Sequence, residues 1–252
     1  VKPSDVIFKN EEKSYVLSGT GAISGETGLT KQGEGMLTIG TANTYTGKTL
    51  LAGGQTNIAA LANSITPSGA FGAYTTEKGK LEIRNGATLQ NTAALTNGTP
   101  VTIGEGGGTL QTQGNFTMQA AFDGGGVLTK TGAGELAMAA GGNVLDHVVL
   151  KEGTLRATVD NVNFGDTLVF AGNSTYADCD NMYSYSSNSN SFKVEEGVDA
   201  YMYLDSRCTY TGRLYGKGTL RVNVPYVRSY LQGDWSAFEG TLVALNSGQT
   251  FS

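Results

Sequence analysis

Apolar and polar residues alternate along most of this chain in short runs. Leu81 and Ile83 flank Glu82, and Val101 and Ile103 enclose a threonine. Alternation with a period of two predicts short, half-buried β-strands. Nowhere do apolar residues keep the helical spacing of three and four for several turns. The pattern therefore predicts an all-β protein.

Glycine and asparagine separate these runs at short, regular intervals. Both residue types tolerate a positive φ and suit sharp corners. The asparagines expected at such corners are Asn85, Asn97, Asn115, Asn161 and Asn163. Strands of three to five residues joined by corners predict a β-solenoid. The alternative is a β-sandwich, although its strands are usually longer and joined by two-residue hairpin turns.

The segment 102–138 illustrates the expected unit. The residues expected to point inward are Ile103, Leu110, Phe116, Met118, Phe122, Leu128 and Leu136, and the Thr, Gln and Lys residues, among them Thr112 and Lys130, are expected to point outward. One such coil buries too little apolar surface to offset its chain entropy, so the coils must stack. At roughly twenty-odd residues per coil, the chain would form about ten to twelve coils.

Composition narrows the class of protein. The 252 residues include 37 glycines but only 4 prolines, which excludes collagen, and 15% charged residues, which is too few for a disordered polyelectrolyte. A net charge of −5 disfavours nucleic acid, and no polybasic patch or long apolar run indicates direct membrane insertion. We interpret residues 1–252 as a single solenoid segment. Its abrupt start and end suggest a piece of a longer surface protein.

One phrase recurs along the chain. Residues 29–39 read LTKQGEGMLTI, residues 128–138 read LTKTGAGELAM, and residues 214–222 read LYGKGTLRV. In the third copy, we expect Gly216 and Gly218 to take the places of Gly33 and Gly35. A strand-turn-strand unit repeated at a distance is typical of repeat architectures.

The phrase resembles the autotransporter-associated β-strand repeat of Gram-negative passenger domains. The first copy continues into TANTYTG, through Asn43, Thr44, Tyr45 and Gly47, whereas the second copy lacks this N-T-Y-x-G element. The resemblance covers most of the chain and is weakest from about residue 175 to 207. It implies a right-handed parallel β-helix on a secreted or surface-displayed, outer-membrane-associated protein of a Gram-negative bacterium. It implies no catalytic residues, because the repeat carries none.

Residues 175–252 differ in composition from the rest. Nine of the twelve tyrosines lie at or after Tyr176, and the single tryptophan is Trp235. Outward aromatic and arginine side chains can stack on sugars or anchor a protein partner, but aromatic residues also suit the cap of a solenoid. The residues selected as possible ligand contacts are Tyr183, Tyr185, Arg207, Arg213 and Trp235.

The two cysteines, Cys179 and Cys208, lie a little more than one coil apart. Stacked coils can bring such residues together, so the pair is a possible disulfide. Two free buried thiols are the alternative. Two cysteines in 252 residues do not indicate a disulfide-built scaffold.

Parallel β-helices also include polysaccharide lyases and hydrolases, which use grouped carboxylates, so the aspartates are candidates for catalysis or calcium binding. Asp178 and Asp180 share one face of an expected strand and could bind calcium or act as acid and base. Acids at this spacing are more often a solvated edge. The only histidine, His147, is expected at an exposed corner beside Asp146. No metal or cofactor site is predicted.

Together, these features favour a non-enzymatic stalk or adhesin segment that contacts host or matrix glycans or surface proteins. The alternative is a polysaccharide-active lyase or hydrolase. A third possibility is a segment that only templates the folding and secretion of a larger passenger.

Overall fold

The computed structural model describes residues 1–159, 162–178, 186–205, 207–225 and 229–245. These residues form thirty β-strands and no helix. A helix able to cross a bilayer is accordingly not found among them.

The strands are short, mostly of two to five residues. The first fifteen are β1 Val6–Lys9, β2 Tyr15–Leu17, β3 Leu29–Gln32, β4 Leu37–Ile39, β5 Thr49–Leu51, β6 Gln55–Ile58, β7 Ser68–Gly69, β8 Gly72–Ala73, β9 Leu81–Ile83, β10 Thr88–Asn91, β11 Leu95–Asn97, β12 Val101–Ile103, β13 Gly108–Thr112, β14 Phe116–Met118 and β15 Phe122–Asp123. The others are β16 Leu128–Thr131, β17 Glu135–Met138, β18 Val148–Leu150, β19 Gly153–Ala157, β20 Thr167–Phe170, β21 Ser174–Asp178, β22 Ser186–Asn188, β23 Ser191–Val194, β24 Asp199–Leu204, β25 Cys208–Tyr210, β26 Leu214–Gly216, β27 Thr219–Asn223, β28 Tyr230–Leu231, β29 Ala237–Phe238 and β30 Thr241–Leu245.

Three long sheets run side by side along the molecule. The first has six strands (β1-β3-β5-β9-β12-β15), the second eleven (β2-β4-β6-β10-β13-β16-β18-β20-β23-β26-β29), and the third eight (β11-β14-β17-β19-β21-β24-β27-β30). Neighbouring strands in these sheets pair in parallel, for example Leu128 with Val148. A small sheet β22-β25-β28 and the antiparallel hairpin β7-β8 complete the fold. The β-solenoid prediction is confirmed, and the antiparallel sandwich is excluded.

Each turn of the solenoid contributes one strand to the second sheet, which gives about eleven turns, as the sequence predicted. Most turns are of similar length, as the pairing of Thr88 with Thr109 and of Leu128 with Val148 shows. At roughly 4.8 Å per coil, the stack is about 50 Å long.

The interior is a continuous apolar column. All seven residues of the 102–138 segment that were predicted to point inward are buried, none with more than 1% exposure. The outward prediction is wrong for Lys130 and Thr112, which are both completely buried. The Thr112 hydroxyl donates to the Gly134 carbonyl at 3.0 Å. The Lys130 ammonium donates to three carbonyls, described below.

The repeated phrase is a corner rather than a fixed part of one sheet. Its first copy joins the first sheet to the second, through β3 and β4, whereas the second copy joins the second sheet to the third, through β16 and β17. The third copy, β26 and β27, occupies the same corner as the second. The strand register stacks Gly216 in the column of Lys130, and Lys130 corresponds to Lys31 of the first copy. Since Lys31 precedes Gly33 by two residues, the expected match of Gly216 to Gly33 is wrong by two positions.

Asparagine serves the solenoid mainly through its side chain. Among described non-glycine residues, only Asn85 has a positive φ, at 55°. Asn115 and Asn163 lie between strands, as predicted, but without a positive φ, and the corner predicted at Asn97 is wrong because Asn97 belongs to β11; Asn161 lies outside the described residues. Buried asparagines instead bridge coils. Asn190, for example, accepts from the Phe164 backbone N–H at 3.0 Å and donates to the Val162 carbonyl at 2.7 Å. Such bonds satisfy backbone groups that the corners leave unpaired.

Candidate functional site

A groove crosses the outer face of the second sheet near its last strands. It encloses about 360 Å³. Its lining comprises Asp166, Thr167, Ser191, Arg213, Tyr215, Gly216, Lys217, Ala237 and Glu239. One of the predicted contact residues, Arg213, therefore lies in a concave site with an aromatic ring and both signs of charge.

Strand β26 and the residues that flank it place Arg213, Tyr215 and Lys217 on the outer side, because Leu214 points inward with 1% exposure. Side chains on one strand alternate between its faces. Glycine is required at the next position. A Cβ on Gly216 would lie 2.1 Å from the Val194 carbonyl oxygen, and its φ is +109°. The absence of a side chain at Gly216 therefore lets the backbone stay close to the neighbouring coil.

Tyr215 is held in place across two coils. Its hydroxyl lies 2.9 Å from the Thr167 hydroxyl, which belongs to β20. The Arg213 guanidinium carbon lies 6.0 Å from the centre of the Tyr215 ring, within cation–π range. The ring is thus oriented by a hydrogen bond at one end and by a cation at its face.

The charged side chains in and around the groove differ in whether they form an ion pair. The Lys217 ammonium lies 3.4 Å from Glu239, in an exposed ion pair of the kind that contributes little to stability. The pKa of Asp234 is lowered, first by hydrogen bonds from Ser236 and also by the nearby charge of Arg213. Arg213 itself has no carboxylate within 4.0 Å among the described residues.

The other predicted contact residues are placed differently. Tyr183 and Tyr185 lie outside the described residues. Arg207 is partly buried just before β25. Trp235 is partly buried and packs against the hydrophobic core, close in sequence to the groove but not in its lining. The structure thus brings Arg213 into the groove and assigns Trp235 to the cover of the last coils.

Of the two cysteines predicted to pair, only Cys208 belongs to the described residues. Cys208 is buried, with 3% exposure, at the start of β25. Cys179 lies outside the described residues, so the disulfide stays a prediction.

The acids considered for catalysis are used by the scaffold where they are described. Asp178 is 4% exposed, so its placement at a solvated edge is wrong. It accepts from the Tyr176 hydroxyl at 3.4 Å and from the Asn188 amide at 3.3 Å, inside the aromatic cluster around Tyr176. Asp180 lies outside the described residues.

His147 was predicted at an exposed corner, and no metal site was predicted. The His147 ring contacts the Asp146 carboxylate at 2.9 Å, and both residues sit at a corner, as predicted. Within the described ranges, no three His, Cys, Asp or Glu side chains are close enough to hold a metal ion.

A second outward aromatic pair lies on the third sheet. Tyr201 and Tyr203 face outward from β24, while Met202 and Leu204 are buried. The Asn223 amide donates to the Tyr201 hydroxyl at 3.1 Å. On the same face, Arg221 binds Asp199 through two hydrogen bonds of 2.7 and 2.8 Å. The Tyr201 and Asp199 side chains of this face are therefore held by partners on the next coil.

Sequence reasoning selected Arg213 but missed Tyr215, Thr167 and Lys217. A signal was present in the third copy of the repeat. Tyr215 stacks in the column of Thr129, so the change from Leu-Thr-Lys to Leu-Tyr-Gly marks where an outward threonine became an aromatic residue.

Comparison of the chain with family models, curated proteins and solved structures found no match. The resemblance to the passenger repeat therefore rests on the motif residues quoted above, and the chemistry of the groove rests on its own side chains.

Proposed function

We propose that this chain is a non-enzymatic, secreted or surface-displayed solenoid segment, which acts as a stalk and adhesin and contacts glycans or surface proteins through the groove on β26. The resemblance to Gram-negative passenger repeats supports the location outside the cell. The long parallel ladder supports the stalk role, since stacked coils present an extended and continuous side wall.

The observation that carries the contact site is the arrangement of Arg213 beside the ring of Tyr215, which Thr167 holds across two coils. An oriented aromatic ring offers a flat apolar surface for stacking. A guanidinium that has no carboxylate partner among the described residues offers paired donors for an acidic group. The combination fits a sugar ring that carries a carboxylate, or an acidic and apolar segment of a protein.

The non-enzymatic part of the proposal is supported by what the ionisable side chains do. Asp178 holds Tyr176 and Asn188 in the interior, and Asp199 holds Arg221 on the surface. Lys130 holds backbone carbonyls. Each of these groups has a structural partner that explains its presence.

The contact site is tested with Arg213→Ala and Tyr215→Ala in an acidic-glycan array and in adhesion to epithelial cells. Matched controls are Arg156→Ala and Tyr201→Ala, which lie on the third sheet. We expect binding to fall at least tenfold in the two groove variants and to stay unchanged in the controls, with all four variants folded by circular dichroism. Equal binding by groove variants and wild type would exclude this site.

A separate assay addresses the enzymatic alternative. The protein is incubated with pectin, other polyuronides and mucin glycans, and the release of unsaturated or reducing ends is followed. We expect none above the background. Release that disappears in Asp178→Asn or Asp166→Asn would replace the adhesin proposal with a lyase or hydrolase.

A further inference from the structure

One turn of the solenoid is longer than the others. Thr49 pairs with Leu81, and Leu81 pairs with Val101, so the turn that separates Thr49 from Leu81 is more than half again as long as the turn that follows. The extra chain contains the β7-β8 hairpin. It lies where the third sheet begins, since β11 is the first strand of that sheet.

The inserted segment is fixed to the N-T-Y-x-G element of the first repeat copy. The Asn43 backbone N–H donates to the Gly69 carbonyl at 2.9 Å, and the Asn43 amide donates to the Ala70 carbonyl at 2.8 Å. The Ala73 N–H donates to the Tyr45 carbonyl at 2.9 Å. The second copy of the repeat lacks both the N-T-Y-x-G element and an insertion, which links the two features.

Part of the insertion covers the open edge of the third sheet. The Asn63 amide donates to the Thr96 carbonyl of β11 at 3.2 Å. Covering an edge prevents pairing with other chains. A segment that served only as a cover would pack against the sheet at the density of a protein interior. Here, instead, it arches over a cavity.

The cavity encloses about 310 Å³ and opens to the solvent. Apolar, aromatic and hydroxyl side chains line it, together with Glu77 and Lys80. Tyr45, Leu61 and Leu81 are buried and form an apolar floor, while Phe71 and Tyr74 are partly exposed. The volume lies at the lower end of the range for small-molecule sites and suits a ligand of one ring.

The polar groups of the cavity are neutral or paired. The Tyr45 hydroxyl lies 2.7 Å from the Thr49 hydroxyl, and burial raises the pKa of Tyr45 above its usual value. At the mouth, the Lys80 ammonium lies 3.6 Å from the Glu77 carboxylate. The site therefore has an apolar floor, two aromatic side chains and a rim of hydroxyl and paired charged groups, without an unpaired charge.

We infer that this cavity binds a single uncharged sugar ring, such as the terminal pyranose of a glycan. A pyranose has an apolar C–H face, which fits the aromatic wall, and a hydroxyl edge, which fits the polar rim. The ion pair at the mouth disfavours a charged ligand, because Lys80 and Glu77 already neutralise each other and neither is left to neutralise the charge of the ligand. The site is separate from the β26 groove, and the inference does not depend on the proposed function.

The test is saturation-transfer NMR of the full chain with the methyl glycosides of glucose, galactose, mannose and fucose. The Ala73→Phe variant places a ring in the cavity, and Tyr74→Ala removes a wall. Tyr201→Ala, which removes a partly buried tyrosine from the third sheet, is the matched control. Thermal unfolding of each variant verifies the fold.

We expect at least one glycoside to give a transfer signal with wild type and with Tyr201→Ala. The signal should fall at least fivefold in Ala73→Phe and in Tyr74→Ala. No signal with any of the four sugars, or an undiminished signal in folded Ala73→Phe, would overturn the inference. Loss of the β26 groove would leave these signals unchanged, so the two proposals can fail separately.

Discussion

Lys31 and Lys130 lie in different sheets and yet make the same three hydrogen bonds. The Lys31 ammonium donates to the carbonyls of Gln32, Gly33 and Gly53 at 2.9, 2.6 and 3.3 Å. The Lys130 ammonium donates to those of Thr131, Gly132 and Glu152 at 3.0, 2.7 and 2.8 Å. In each case, two acceptors belong to the lysine's own turn and the third lies on the next coil. The lysine of the repeat thus closes its own corner and ties it to the next coil.

Replacing this lysine should destabilise the solenoid. Lys130→Met keeps the aliphatic stem, which stacks between Leu110 and Leu150, but leaves three carbonyls without their donor. We expect a loss of about 1–3 kcal/mol in the free energy of unfolding, measured with urea. Lys151→Met, at the exposed neighbouring position, is the control and should change stability little. Equal stability of the two variants would contradict the role assigned to Lys130.

Lys130 should also give stability a characteristic pH dependence. Burial lowers the pKa of Lys130 to about 8 from 10.5, partly opposed by the charge of Glu152. Between these two values, the unfolded chain binds more of this proton than the folded chain, so the contribution of Lys130 to stability rises with pH.

The measurement is the difference in unfolding free energy between wild type and Lys130→Met from pH 7.5 to 10. Other groups titrate in both proteins, so the difference isolates Lys130. We expect wild type to gain relative to the variant as the pH increases above about 8. A constant or declining difference would show that the pKa of Lys130 is not lowered by folding.

The glycine of the repeat corner should be required for two reasons, which a matched pair of variants separates. Gly132 has φ +78°, and a Cβ there would lie 2.4 Å from the Thr112 carbonyl oxygen; Gly142 has φ +73° and open space around it. Both alanine variants incur the strain of a left-handed backbone, about 1–2 kcal/mol. We expect Gly132→Ala to lose a further amount of about 1–3 kcal/mol in urea unfolding because the backbones must separate. Similar losses would mean that the close approach is unimportant.

Asn43 should act as an inter-coil staple. Its side-chain oxygen accepts from the Ile23 N–H at 2.9 Å, and its amide donates to the Ala70 carbonyl at 2.8 Å, with the side chain fully buried. Asn43→Ala should therefore cost about 1–3 kcal/mol and loosen the insertion, seen as faster amide exchange at Ala70 and Ala73. Thr44→Ala, at the exposed adjacent position, should have neither effect. Unchanged exchange in Asn43→Ala would contradict the staple.

The fold was predictable because its signal is local. Alternating residues such as Val101 and Ile103 define strands, and glycines between them define corners, without knowledge of what each strand contacts. The prediction for Lys130 was wrong for the same reason, because a charged residue next to a threonine is typical of the protein surface. Only the turn that follows shows that its ammonium can be satisfied by carbonyls while the stem is buried.

The sequence by itself determined the strands, the corners and the approximate number of coils, because these depend on residue type and on spacing within a single coil. The tertiary structure decided which residues share a column. It brought Thr167 to Tyr215 and folded the inserted segment over Tyr45. Those contacts join residues one or more coils apart, and the length of each turn sets which side chains meet. A pattern of alternation does not contain that information, since the long turn before Leu81 and the shorter turn after it present the same alternating strands.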